Sequence, residues 1–187
     1  MKKISIFIVS VIVTFSSFAQ SKDVVDIAIG SADHSTLVAA VKAADLVETL
    51  KGKGPFTIFA PTDDAFAELP DGTVESLLKP ENKSQLSKVL TYHVVSGNLD
   101  AAAVTEAIKA GNVKAVVTTV SGGKLTVNLE KDKVKLTDES GNSAYVTTAD
   151  LKGSNGVIHI IDSVVLPRRK SADGSLERSR IRELFLK

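Results

Sequence analysis

The stretch NGVIHIIDSVVLP, Asn155 to Pro167, most limits how this chain can fold. Val157, Ile158, Ile160, Ile161, Val164 and Val165 make it apolar on both sides of a period-two register, with Asn155-Gly156 as a turn in front. A strand apolar at consecutive positions is buried on both faces, so it belongs in the middle of a sheet or between two layers. The rest of the domain is expected to pack against it. His159 and Asp162, the ionisable residues inside the run, then need hydrogen-bond partners. Both are read as supports of the fold rather than as chemistry.

At 187 residues the chain has room for one domain, and nothing in it suggests a second core. With no Trp, two Tyr and seven Phe, the core must be built from Val, Leu, Ile and Ala. Few aromatics remain for stacking on bases or sugars. The net charge of +1 conceals an uneven distribution: residues 20–167 carry 14 Lys and Arg against 19 Asp and Glu, and residues 168–187 carry 7 against 3. An acidic domain of this kind is not a nucleic-acid binder.

Met1-Lys2-Lys3, the apolar run Ile4 to Phe15 and the small residues before Gln20 follow the order of a secretory signal. The apolar run is shorter than the roughly 20 residues that span a bilayer, which argues for a cleaved signal over an anchor. Cleavage is placed after Ala19, making residues 1–19 the signal, 20–167 the domain and 168–187 a basic tail. No Cys is present, so neither a disulfide frame nor a lipid-attachment Cys is available, and the core alone must hold the fold.

Residues 23–50 read as helical, with Asp33 or Ser35 as a cap and Leu37, Val38, Val41, Leu46, Val47 and Leu50 near a 3.6 period. Phe56 to Ala60 is a short strand stopped by Pro61, after which Thr62 or Asp63 starts a helix that turns Phe66 onto the core. Helices are expected at Thr73 to Leu78 and Ser84 to Leu90. A strand is expected at Tyr92 to Val95, and a helix capped by Asp100 runs from there to Ile108. From Lys114 onward the pattern turns to strands: Val116 to Val120, Leu125 to Leu129, Val134 to Thr137 and Ala144 to Thr148. Helices followed by a run of antiparallel strands give an α+β fold.

Three segments then resemble a fasciclin-type domain: Thr57-Ile58-Phe59-Ala60-Pro61-Thr62-Asp63-Asp64-Ala65-Phe66, Tyr92-His93 with Val94-Val95, and Gly156 to Asp162 running on to Leu166-Pro167. The likeness covers roughly residues 20–167. It implies a wedge-shaped β-sandwich of about seven strands flanked by short helices, and a secreted or periplasmic, non-catalytic module for cell-surface or matrix adhesion. Its partner would be a protein or polysaccharide, and the domain is expected to be a monomer. Tyr92 and His93 match the family's central pair. In a strand they face opposite ways, so either both are core residues or one of them meets a partner.

An enzyme needs a reactive constellation, and the sequence offers no Cys nucleophile, H-E-x-x-H pair, Gly-x-Ser-x-Gly elbow or Gly-x-x-x-x-Gly-Lys loop. His34, His93 and His159 lie far apart in sequence; two of them meeting beside Asp162 would resemble a metal site, but most such sets are accidental. No catalytic residue, metal or cofactor is expected. Asp63-Asp64 reads as solvated capping at a helix start, and Lys131-Asp132-Lys133 and Asp138-Glu139 as charged hairpin turns. Membrane contact is expected only through the basic tail, whose Leu176 to Leu186 is amphipathic but short for a helix on its own. The alternative to adhesion is a small apolar ligand or sugar held in a cleft between helices and sheet.

Cleavage after Ala19 removes 19 of the 187 residues. The intact mass of the protein recovered from the envelope or medium should correspond to a chain starting at Gln20. An intact Met1 in the envelope fraction would mean a tethered protein instead.

Overall fold

The computed structural model describes residues 22–111, 113–131 and 133–168. The expected signal at 1–19 and the basic tail beyond Arg168 lie outside the described residues.

The helical first segment is divided rather than continuous: α1 (Val24–Ile29), a 3₁₀ turn (Ala32–His34), α2 (Ser35–Ala43) and α3 (Val47–Leu50). Asp23 begins α1 with a capping box, accepting from the Asp26 N–H while Asp26 accepts from the Asp23 N–H. The capping of α2 comes from a distant residue. Asp63 accepts from the Ser35 N–H and hydroxyl and from the Thr36 N–H, across 28 and 27 positions. Burial works against the Asp63 charge, but these donors outweigh it and hold the carboxyl below its usual range. The expected choice between Thr62 and Asp63 at the next helix therefore resolves cleanly. Thr62 caps α4 (Asp63–Ala67), and Asp63 ties that helix to α2.

After β1 (Phe56–Pro61) and α4 come α5 (Thr73–Leu78), α6 (Lys83–Tyr92), β2 (Val94–Ser96) and α7 (Ala101–Ala110), the last capped by Asp100 as expected. Strands β3 (Lys114–Thr118), β4 (Lys124–Glu130), β5 (Lys133–Thr137), β6 (Ser143–Gly153) and β7 (Gly156–Ile161) complete a seven-stranded sheet in the order β2-β1-β7-β6-β5-β4-β3. The Asn155–Pro167 run supplies β7, which lies inside the sheet, parallel to β1 and antiparallel to β6. Strand β6 is 11 residues long and irregular in register: its first residues pair with β5 and its remainder with β7. It therefore belongs to both halves of the sheet. A bridge between Val95 and Thr119 joins the two ends, so the α+β fold is nearly barrel-like.

Two cores follow from the alternation along β1 and β7. Ile58, Ala60 and Ile158 pack with Val24, Leu37, Ala40 and Leu90 on the helical side. Phe59 and Ile161 point the other way, to Tyr92, Leu125, Val127, Leu136 and Val165 between the sheet halves. Strands β1 and β7 approach so closely at their start that a Cβ on Gly156 would collide with the Phe56 carbonyl.

The polar residues of the central run are satisfied by backbone. His159 donates from Nε2 to the Leu99 carbonyl at 2.7 Å and accepts at Nδ1 from the Asp150 N–H at 3.4 Å. Asp162 accepts from the Tyr145 N–H at 2.7 Å. Asn155 fastens β7 to the helices: its Oδ1 accepts from the Val24 N–H at 3.0 Å, and its Nδ2 donates to the carbonyls of Leu50 at 2.8 Å and Gly52 at 3.1 Å.

Replacing Asn155 by Ala strands one donor and two acceptors at the meeting of α1, α3 and β7. The expected loss is about 2 kcal/mol or more in a denaturant titration, from the cost of leaving such groups unpaired. An unchanged midpoint would show that water replaces the amide without loss.

Candidate functional site

Tyr92 and His93 do not sit in a strand. Tyr92 is the last residue of α6 and His93 its C-cap, with φ −86° and ψ 0°; β2 begins only at Val94. The β-branched pair Val94-Val95 suggests a strand, but the helical period runs further. Leu86, Val89 and Leu90 fall at i, i+3 and i+4, and Tyr92 and His93 follow Val89 at +3 and +4. That spacing was the available signal for the helix end.

The two side chains part, but both go inward, with exposures of 0% for Tyr92 and 3% for His93. Neither ring presents a surface that a partner protein can touch. Tyr92 enters the core between the sheet halves, where its hydroxyl donates to the Lys124 carbonyl at 2.7 Å and accepts from the Glu139 N–H at 3.4 Å. Gly123 leaves the space for its ring, since a Cβ there would press on the Tyr92 edge. Burial pushes the phenol up to about 12, so it is a neutral donor at any ordinary pH.

His93 turns to the helical side. Its Nδ1 lies 2.8 Å from the Val89 carbonyl, which only accepts, so Nδ1 carries the proton and Nε2 is a bare acceptor. No donor among the described residues reaches that Nε2; the Nε2 of buried His34 also lacks a partner. Burial pushes the His93 imidazole down to about 4. His34 is shifted down too, chiefly by burial, against a partial opposing effect of Asp33 and Asp63.

His93 lines a cavity of about 70 Å³ enclosed by α1, α2, α3, the end of α6 and the faces of β1 and β7. Its walls are aliphatic: Val24, Leu37, Val41, Val47, Leu50, Ile58 and Ile158 are among the lining residues. Ile29 at 50% exposure and Val120 at 47% also line it, so it reaches the surface. This cavity was not foreseen residue by residue, because its walls come from helical segments read as one helix.

Asp138 is a second residue whose place the sequence disguises. Expected as a solvated hairpin charge, it is 6% exposed and accepts from the Ser140, Asn142 and Leu166 N–H groups and from the Asn142 amide. Its carboxylate pins the segment after β7 to the β5–β6 turn. Among the described residues no three His, Cys, Asp or Glu side chains gather closely enough to hold a metal ion.

Residues 32–167 match the family model described as the Fasciclin domain. The chain is 51% identical over 158 residues to Protein sll1483 of Synechocystis sp. (strain ATCC 27184 / PCC 6803 / Kazusa), covering 84% of this chain and 81% of that protein. It is 36% identical over 146 residues to the transforming growth factor-beta-induced protein ig-h3 of Sus scrofa, covering 77% of this chain but only 19% of that protein. Among solved structures, a FAS1 domain pair from the insect cell adhesion molecule Fasciclin I superposes with a TM-score of 0.56 at 22% identity, over 70% of this chain and 43% of that one. That likeness is one of fold.

The buried neutral His93 makes stability depend on pH. Between an unfolded value near 6.5 and the folded value of about 4, the unfolded chain takes up a proton that the folded chain refuses. Stability present above pH 6.5 is thus lost as pH falls toward 4, about 2 kcal/mol of it by about pH 5, with His34 acting in the same direction. Denaturant titrations at neutral pH and near pH 5 should show this loss, and His93→Asn should reduce it. Equal pH dependence in wild type and variant would place the proton uptake elsewhere.

Proposed function

Because this chain belongs to the fasciclin domain family, we propose that it is an exported, non-catalytic interaction module that binds a protein or polysaccharide at the cell surface or in the matrix. The observation that carries this reading is the edge strand β3. Val113 at 71% exposure and Val116 at 58% are the most exposed large aliphatic side chains among the described residues, and they stand just before and on that strand. Isolated exposed aliphatics are ordinary, but Val113 also holds φ at 90°, where a β-branched residue is strained. Its N–H is fixed to the Ile108 carbonyl at the end of α7. Strain held at an exposed edge is a feature of contact sites. A strand edge also offers backbone groups for pairing with an extended partner.

The solved relative in fold belongs to a cell adhesion molecule, which agrees with this use of the surface. Export by cleavage after Ala19 and a monomeric state are parts of the same proposal. Tyr92 and His93 enter it as internal supports: they set the end of α6 and the start of β2, beside which Thr119 bridges back from the end of β3.

A second reading is favoured by the cavity beside His93: the domain also holds a small apolar ligand between helices and sheet. Its aliphatic walls argue against a sugar, which needs many polar partners.

The adhesive reading is tested by capture from envelope and extracellular fractions with the exported chain as bait. Val116→Asp should weaken retention of the captured species at least tenfold while leaving the melting temperature within a few degrees, and Val113→Gly should weaken it while relieving backbone strain. Retention unaffected by both variants would move the contact surface away from β3.

A further inference from the structure

We infer that the cavity beside His93 takes the tail end of a straight alkyl chain whose head is a carboxylate, held at the mouth by Lys42: a medium-chain fatty acid. This rests on the reading of the cavity as an apolar ligand site and names the shape and charge of what enters it.

The walls decide which part of a ligand can be buried. Val24 of α1, Leu37 and Val41 of α2 and Leu50 of α3 face Ile58 and Ile158 on β1 and β7. The Thr91 hydroxyl already donates to the Ser87 carbonyl, and the buried Nε2 of His93 is shut off from the cavity. A polar atom carried inward would lose its water and gain no partner. Only hydrocarbon belongs inside.

Size then separates a chain from a ring. About 70 Å³ is roughly half of a cavity of about 150 Å³ that holds benzene, so three or four carbons fit and a six-membered ring does not. A chain entering end first can continue outward, because the apolar lining runs on through half-buried Val38 and Ala28 to exposed Ile29 and Val120. Each methylene that reaches the enclosed part strengthens binding about fourfold.

The charge at the mouth is positive. Lys42 is exposed and lines the cavity, and among the described residues no Asp or Glu does. Lys42 takes part in none of the ion pairs among the described residues, whereas Asp45, its nearest acid along the chain, is held by Lys83 at 2.7 Å. The Lys42 stem can lie along the alkyl chain while its ammonium stays in water, where it meets the ligand's head. A carboxylate is attracted there and a cation repelled. An exposed pair of this kind is worth up to about fivefold, so the chain supplies the affinity and Lys42 selects the head.

The experiment compares three probes on the exported chain at neutral pH, followed by titration of amide and methyl resonances. Heptanoate is set against cyclohexanecarboxylate, its ring counterpart with the same head, and against hexylammonium, which carries the same tail under the opposite charge. Heptanoate is expected to bind at least tenfold more tightly than the ring acid and about fivefold more tightly than the amine. Its terminal methyl should show nuclear Overhauser contacts to the methyls of Ile58 and Ile158. Lys42→Glu should reverse the preference between heptanoate and hexylammonium. Val41→Phe, which fills the cavity from α2, should abolish heptanoate binding, with Ala28→Leu on α1 as the second filling variant should the first not fold.

A ring acid that binds as tightly as heptanoate, or a head preference that Lys42→Glu leaves unchanged, would overturn the proposal while leaving the apolar-ligand reading in place. Saturable binding by none of the three probes would overturn both. Heptanoate binding without contacts to Ile58 and Ile158, or binding that survives the filling variants, would place its site elsewhere and equally overturn the proposal.

Discussion

The parallel pairing of β1 with β7 is the constraint on which the rest of the structure depends. Six residue pairs, from Phe56 opposite Gly156 to Pro61 opposite Ile161, bring together segments about 100 positions apart. Parallel neighbours cannot be joined by a tight turn, so everything from α4 to β6 becomes the connection between them. Because both strands are covered on both faces, their alternate residues feed two different cores. A single strand pair therefore sets the positions of the helical layer and of the far half of the sheet together.

The side chains that hold this pair in place are polar, and each works across a long sequence separation. Asn155 reaches 131 positions to Val24 and 105 to Leu50, His159 reaches 60 to Leu99, and Asp138 reaches 28 to Leu166. Burying such groups adds little net energy when they are paired and costs heavily when they are not. Their effect is selective: alternative registers of β7 would shift His159 and Asp162 away from the backbone groups they satisfy.

Residues whose surroundings are local were legible from the sequence. The Asn155–Pro167 run placed β7 inside the sheet, Asp100 marked the start of α7, and the strand alternation from Lys114 onward gave four of the seven strands. Legibility ended where a residue's partner lies elsewhere in the chain. Asp63 reads as a local cap but serves α2, Asp138 reads as a turn charge but is buried under Leu166, and the helix drawn over 23–50 breaks where α1, α2 and α3 each turn to cover the same sheet face. The strand drawn through Tyr92-His93 failed because the β propensity of Val94 and Val95 was extended backward over a helix end.

That helix end is also where the two cores meet. Tyr92 and His93 are adjacent in sequence, yet one completes the packing between the sheet halves and the other borders the cavity under the helices. The Tyr92 hydroxyl finds an acceptor at the start of β4 and a donor in the β5–β6 turn, so that core is closed. Among the described residues, His93 has only its Nδ1 engaged. The paired hydroxyl of Tyr92 ties the α6 terminus to the far half of the sheet, while the His93 ring is held by its own bond to the Val89 carbonyl. That bond leaves the buried Nε2 as an acceptor with no partner among the described residues. It persists because the ring can remain neutral at physiological pH, where a charged imidazole in the same aliphatic surroundings would not be tolerated.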